Sequence, residues 1–431
     1  MSSEVNSNTQ RSAGIFEPVI QGLQRRFRWS RSYATGVLNG WFCTMGDAFL
    51  HPGIVLASFA AALSAPNWVI GLLPAIAVGG WLLPQIFVSA AVRHIPRKVD
   101  VYRAASVVRT TALTTIVLST VLFSGVPQLL LSAFLLALIA NSLASGVSGL
   151  PWLESVGKTI SAKDRPGFFG MRNLWGGLLA LGAGFAIRAI LSSSLTFPWD
   201  YALIFALGAI TFSLGYWFFG LSDEPPDDPP QPRAANIWAD LLAIPQTIKN
   251  NPDFAKYVFY RVLFASATIG DAFFTAHALR NVGVGKEAIG TFLIAVGIIA
   301  PLSNTIWSRT AQAFGSRRII RIALGFTFAA PLLALLMPKG AGLFFVLVFV
   351  AQSIGHAGIN LGNANYILSL TSTETRGKFI GTANTLVGIA VFTPIFGGQI
   401  ADSAGYLPVF ALSAVLYGLT YWAAGQLRRD L

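Results

Sequence analysis

Two carboxylates stand where carboxylates are costly. Asp47 lies in Thr44-Met45-Gly46-Asp47-Ala48-Phe49-Leu50-His51, and Asp271 in Thr268-Ile269-Gly270-Asp271-Ala272-Phe273-Phe274-Thr275; both octets sit inside long apolar runs. Five of the eight positions agree, at a spacing of 224 residues. An ionisable group inside a membrane helix costs about 2.5 kcal/mol or more, so two related copies call for a use. On a continuous helix Thr44, Asp47 and His51 share one face, and so do Thr268, Asp271 and Thr275. A desolvated carboxylate exchanges protons near neutral pH, and an imidazole one turn away titrates in the same range. The chemistry on offer is proton coupling or cation binding, with Asp47 and His51 first and Asp271 second. The alternative for either acid is a structural aspartate bonded to Thr and backbone groups of a neighbouring helix.

A second polar group is His356, Asn360, Asn363 and Asn365, all within one apolar run. Amides and imidazoles at that depth are expected to face a cavity and hydrogen-bond a polar substrate. Interleaved Gly358, Gly362 and Ala364 leave helix packing open as the other reading. Trp41 and Trp152 are expected to stack on a flat or cationic substrate, and Thr44, Thr268 and Thr275 to lend hydroxyls. Glu154 belongs to one end of its run, with Arg165 or Arg376 as a gate partner. The chain has no Gly-rich loop ending in Gly-Lys-Ser/Thr and no paired metal ligands, so no cofactor, metal or enzymatic step is expected. The single cysteine, Cys43, excludes an intramolecular disulfide.

These residues need membrane helices to position them. Of 431 residues 54% are hydrophobic and only 11% charged, and the mean hydropathy is +0.61. A soluble domain carries roughly 25% charged residues. Twelve runs are long enough to span a bilayer: roughly 33–60, 67–92, 104–123, 127–149, 170–192, 199–221, 255–279, 287–307, 319–337, 341–369, 379–401 and 407–426. A charged, Pro-rich break from Ser222 to about Phe254 divides them six and six, with a short surface helix expected near its end.

The halves repeat elsewhere too. Arg165-Pro166-Gly167-Phe168-Phe169-Gly170-Met171-Arg172-Asn173 matches Arg376-Gly377-Lys378-Phe379-Ile380-Gly381-Thr382-Ala383-Asn384 in its Arg, Phe, Gly and Asn. An even number of spans per half makes the repeat parallel. The net charge of +12 is not that of a nucleic-acid binder. Of the 30 Lys and Arg, only Arg188, Arg280, Lys286 and Lys339 fall on the side away from the N-terminus. By the positive-inside rule both termini are cytoplasmic. The expected layout is a cytoplasmic tail at 1–32, a six-helix bundle at 33–221, a cytoplasmic linker at 222–254, a second bundle at 255–426 and a tail at 427–431.

The fold class read from this is an all-α membrane protein with twelve transmembrane helices in two pseudo-symmetric six-helix bundles. In this it resembles the major facilitator superfamily over about residues 30–427. Basic loops follow the second and eighth spans, ending in Arg97-Lys98 and Arg317-Arg318. The acidic position of the family's loop motif is Arg93 in one copy and about Gln312 in the other. Pro394-Ile395-Phe396-Gly397-Gly398, Asp402 and Gly405 are also similar to the family's eleventh span. The fifth span is Gly-rich but lacks the Gly-Pro pair common in the family's antiporters.

The resemblance implies a secondary-active transporter of the inner or plasma membrane. It would act as a monomer on a small molecule, by alternating access, with protons as the coupling ion. Its gate would use Arg93, Arg97, Lys98, Glu154, Arg165, Arg317 and Arg376, and its site would lie between spans 1, 4, 7 and 10. Export of lipophilic or cationic compounds is the first expectation. Uptake of a polar nutrient, or a sensor or scaffold that moves nothing, are the alternatives.

Overall fold

A computed structural model describes residues 17–84, 87–88, 92, 94–227, 242, 244–371 and 376–428, with Arg376, Gly377 and Lys378 described in backbone only. The described residues form helices joined by short turns. Eleven helical segments are long and apolar enough to cross a membrane, and Asn67–Leu82 is a shorter apolar twelfth.

In the first half, α1 (Arg31–Phe49), a π-turn (Pro52–Leu56) and α2 (Ala57–Ala62) make the first span. Then follow α3 (Asn67–Leu82), α4 (Lys98–Leu122), α5 (Pro127–Thr159), α6 (Arg165–Ser192) and α7 (Trp199–Gly220). The short α8 (Ile244–Lys249) precedes the second half; the rest of the surface helix expected there lies outside the described residues. The seventh span is α9 (Pro252–Ala267), a 3-10 turn (Thr268–Phe273), α10 (Phe274–His277) and a π-turn (Ala278–Val282). Next come α11 (Ala288–Phe314), α12 (Ser316–Leu336) and α13 (Val346–Leu370). The eleventh span is α14 (Arg376–Ala390) with α15 (Thr393–Ala404), and α16 (Tyr406–Gly425) is the last.

Both copies of the repeated octet meet a break in the helix. Ser30 starts α1, its hydroxyl accepting from the Tyr33 amide at 3.2 Å. The helix stops at Phe49, and His51 takes an extended ψ of 116° ahead of Pro52, because a proline drives the preceding residue out of the helical region. In the second half no proline is present. There the Ser413 hydroxyl, from α16, donates to the Ala267 carbonyl at 2.6 Å, the acceptor that a continuous helix would use for the Asp271 amide. The chain passes Thr268–Phe273 as a 3-10 turn instead. Neither octet therefore keeps the single helical face expected for Thr44, Asp47 and His51 or for Thr268, Asp271 and Thr275.

Within the first half α1 packs on α6 and α7, and α4 on α5 and α7. Within the second, α12 packs on α13 and α16, and α9 on α16. The halves meet where α6 lies against α11 and α3 against α15. Glycine permits both approaches: a Cβ on Gly290 would fall 2.5 Å from the Arg188 Cβ, and one on Gly398 would collide with the Trp68 backbone.

A set of hydrogen bonds among the described residues joins the halves on the side opposite the termini. Asp402 accepts from the amide of Asn67 at 2.9 Å and from its side chain at 2.8 Å. Arg280 donates to Asn67 Oδ1, Tyr406 Oη, Ala61 O and Ala65 O at 3.0–3.3 Å. Lys286 pairs with buried Asp200 at 2.8 Å, and Thr275 donates to Gly53 O at 2.6 Å. On the terminal side the start of the linker is fastened to the first half. Glu224 accepts from the Lys98 and Val99 amides at 3.1 and 2.7 Å, at the start of α4. Lys158 pairs with Glu224 at 2.7 Å and Asp227 at 2.8 Å.

Candidate functional site in the cavity between the halves

The cavity has two lobes, of ≈ 430 and ≈ 570 Å³, which share His51, Ile54, Phe349, Gln352, His356 and Asn360. Each is large enough for a drug-sized molecule. The break after α1 swings His51 onto the wall, while α13 supplies His356, Asn360 and Asn363. Thr268, Asp271 and Arg261 of the seventh span also line the smaller lobe. Spans 1, 2, 7, 8, 10 and 11 build these walls; the fourth span, expected among them, does not reach either lobe.

Asp271 is the most connected acid in the cavity. Its Oδ2 accepts from the Tyr417 hydroxyl of α16 at 2.9 Å and lies 3.2 Å from His356 Nε2 of α13. Its other oxygen is buried with no hydrogen-bond partner among the described residues. The Phe264 ring lies 5.6 Å from the imidazole and 6.1 Å from Tyr417, closing the group on one side. A carboxylate, an imidazole and a phenol in contact form a unit through which a proton can be shared and passed to cavity water.

The first copy is built differently. Asp47 is exposed although it stands within the first span, and it lines neither lobe of the cavity. No hydrogen bond joins it to His51. Arg109 of α4 is its electrostatic neighbour, with no ion pair within 4.0 Å. The imidazole partner expected beside Asp47 is found instead beside Asp271, and it comes from α13.

The other expected substrate contacts divide. Thr268, His356, Asn360 and Asn363 line the cavity, whereas half-buried Asn365 does not. Thr275 is consumed by the join between the halves. Thr44 packs on α6, where a Cβ at Gly176 would meet its hydroxyl at 2.9 Å. Trp41 donates to Met171 O at 3.1 Å, another α1–α6 contact. Trp152 lies under the Arg172 guanidinium, 4.8 Å from its ring centre.

The described gate residues make contacts within their own half. Arg165 donates to Gly157 O at 2.7 Å and Ile160 O at 3.1 Å, closing the end of α5 rather than pairing with Glu154. Glu154 lies 3.9 Å from the buried Lys98 ammonium, which also meets Asp227 at 3.2 Å. Arg97 is exposed. Arg317 donates to the Gly425 carbonyl of the last helix. Arg93 and the Arg376 side chain lie outside the described residues.

Three cations went unremarked in the sequence because they were counted with the loops. Arg109 stands eleven residues into α4, donates to Asn141 Oδ1 at 3.3 Å and lies 4.2 Å over the Tyr216 ring. Arg172 of α6 donates to Asn39 Oδ1 at 2.9 Å and to the Gly36 carbonyl. Arg261 of α9 donates to Tyr257 Oη at 3.0 Å. The signal was present: each lies inside one of the twelve apolar runs, where a charge needs the same explanation as an aspartate.

Known proteins agree with this architecture. The model of the Major Facilitator Superfamily matches residues 263–429. "Multidrug resistance protein MdtG" of Dickeya zeae (strain Ech586) is 28% identical over 143 residues, 32% of this chain and 33% of that protein. The match thus spans about a third of that relative's length. Among solved structures, nucleoside transporter NupG (D323A mutant) is similar at a TM-score of 0.72 and 13% identity, over 92% of this chain and 100% of that one. A bacterial homologue of the iron transporter ferroportin, in its inward-facing state, gives 0.69 and 12%, over 93% and 99%. A D-xylose-proton symporter gives 0.63 and 13%, over 92% and 96%. At such identities the structures speak for the fold, and fold, family match and relative converge. The chain is a twelve-helix membrane protein with the fold of these transporters, and its residues 263–429 match the Major Facilitator Superfamily.

Proposed function

We propose that this protein is a secondary-active transporter that moves a small molecule by alternating access, with protons as the coupling ion. One observation carries the reading: Asp271, His356 and Tyr417 form a connected titratable unit on the wall of a cavity between two halves. Asp271 takes the place that Asp47 held on sequence grounds. It has a proton-sharing partner, while Asp47 has only a distant cation.

The halves are bonded together on the side away from the termini, where Asp402, Arg280, Lys286 and Thr275 cross the join. This arrangement suits a state whose cavity opens toward the termini. Basic side chains around the terminal-side loops favour placing that side in the cytoplasm of an inner or plasma membrane. The protomer holds the whole cavity, which suits a monomer. Export of lipophilic compounds draws support from the multidrug relative. A cationic substrate is disfavoured by Arg261, which stands with Asp271 among the lining residues and leaves no surplus negative charge there.

The test uses full-length chain in proteoliposomes, with a compound selected by thermal stabilisation from a panel of cationic drugs, sugars, amino acids and carboxylates. Accumulation of that compound should follow an imposed pH gradient and collapse with a protonophore. Accumulation indifferent to the gradient removes proton coupling from the account.

A further inference from the structure

A helix ahead of the first span carries a surface that the cavity does not use. Residues 17–27 are helical and precede α1. Ile20, Leu23 and Phe27 stand at i, i+3 and i+7, so they share one face. Ile20 is fully buried and belongs with Leu23 to a cluster formed by Ala34 and Leu38 of α1 with Phe218 and Leu221 at the end of α7. The helix is thereby laid against the terminal-side ends of spans 1 and 6. Glu17 at its start pairs with Arg31 of α1 at 2.9 Å. Arg28 takes the left-handed conformation, with φ of 55°, and turns the chain from this helix into α1.

Part of the apolar surface is left uncovered. Val19 and Phe27 are each 47% exposed, beside the first turns of a membrane span. Phe27 stacks on Trp29 with 4.8 Å between ring centres, and Trp29 meets Tyr33 of α1 at 4.9 Å, which fixes the rings to the bundle. The Arg26 guanidinium stands 5.8 Å over the Phe27 ring. Val19 and Arg26, seven residues apart, flank the apolar face on the same side, while Arg25 stands on the side opposite that face. Arg25, Arg26 and Arg28 are exposed, and none makes an ion pair among the described residues. Glu17 and Asp223 pair with Arg31 instead, at 2.9 and 3.8 Å.

An amphipathic helix with cations beside its apolar face is suited to the surface plane of a bilayer. A neutral lipid would cover Phe27 and leave the guanidinium groups without a counter-ion. An acidic soluble partner would meet the charges and leave Val19 and Phe27 uncovered beside the span. A phospholipid with a net negative headgroup supplies the anion and the apolar chain at adjoining depths.

We infer that Val19, Arg26, Phe27 and Arg28 form a binding site for an anionic phospholipid of the leaflet on the terminal side. The headgroup phosphate meets Arg26 and Arg28, and an acyl chain lies on Phe27 and Val19. The site needs the spans but not the cavity, so it stands apart from the transporter reading.

The test reads the lipid kept by the full-length chain in mixed micelles of dioleoyl phosphatidylglycerol and dioleoyl phosphatidylcholine, counted by native mass spectrometry. The wild type should keep phosphatidylglycerol in preference. Arg26→Gln and Arg28→Gln should each lower that preference about fivefold, the equivalent of one basic contact at a membrane surface. Arg25→Gln makes the same charge change on the opposite side of the helix and should lower it clearly less. Arg26→Lys keeps the charge and should keep the preference. Equal retention of the two lipids by the wild type overturns the proposal, and that comparison needs no variant to fold. So does a loss in Arg25→Gln as large as in the other two, which would mean attraction by net charge alone. Displacement of phosphatidylglycerol by millimolar inorganic phosphate would mark a site for small anions and overturns it as well.

Discussion

His356 of α13 meets Asp271 of the 3-10 turn across 3.2 Å, and Tyr417 of α16 completes the contact at 2.9 Å. Three elements separated by 85 and 146 residues in sequence converge on one carboxylate. Moving any of them changes how tightly the proton is shared. Tyr417→Phe removes one hydrogen bond, worth about 1 kcal/mol, and is expected to slow gradient-driven transport roughly fivefold. His356→Gln keeps a polar partner but cannot carry a proton, and it should cost more than the Tyr417 variant. Initial rates of transport under a fixed pH gradient give this order directly.

The far-side join predicts a population shift. Arg280 holds four acceptors from both halves. Replacing it by Gln should cost the closed far side about 2 kcal/mol, roughly thirtyfold in the population open to that side. A cysteine at Thr275, in a Cys43→Ser background, reports the change. It should react with a membrane-impermeant maleimide much faster when Arg280→Gln is present.

A steric substitution should act in the same direction without touching charge. Gly71 and Gly398 face the backbone of Pro394 and Trp68, and a methyl on either has no room. Gly398→Ala is expected to destabilise the α3–α15 contact by about 1–3 kcal/mol. The same Thr275→Cys labelling should rise, with the helical circular dichroism unchanged.

The linker latch has a definite pH sense. Asp227 is held below its ordinary carboxylate pKa of 3.8, chiefly by its hydrogen bond to Lys158 and also by Lys98. A depressed pKa adds stability that is complete above the ordinary value and is lost as the pH falls toward the lower one. Asp227→Asn should therefore melt earlier than the wild type near neutral pH, by the equivalent of about 1 kcal/mol. The gap should close on acidification below the ordinary value, as melting curves over a pH series will show.

Hydropathy made the spans legible because burial in lipid needs an unbroken apolar run, and twelve such runs reappear as helices. The repeated octets were legible as positions of interest, but not in shape. Local periodicity assumes a continuous helix, whereas Pro52 ends the first one and Ser413, 146 residues away from Ala267, unties the second. The Asp271–His356–Tyr417 contact depends on which helix faces which, and spacing along the chain does not carry that. Arg109, Arg172 and Arg261 were hidden by the opposite effect. A hydropathy window tolerates a single charge, so each was read with the nearest loop.

The central claim is that Asp271 couples proton movement to transport. The most direct measurement compares wild type with Asp271→Asn in proteoliposomes, using the stabilising compound in two modes. Both proteins should exchange it at equal concentrations without a pH gradient, which shows a folded carrier. Only the wild type should concentrate it when the gradient is imposed. Uphill accumulation by Asp271→Asn at the wild-type level would contradict the account.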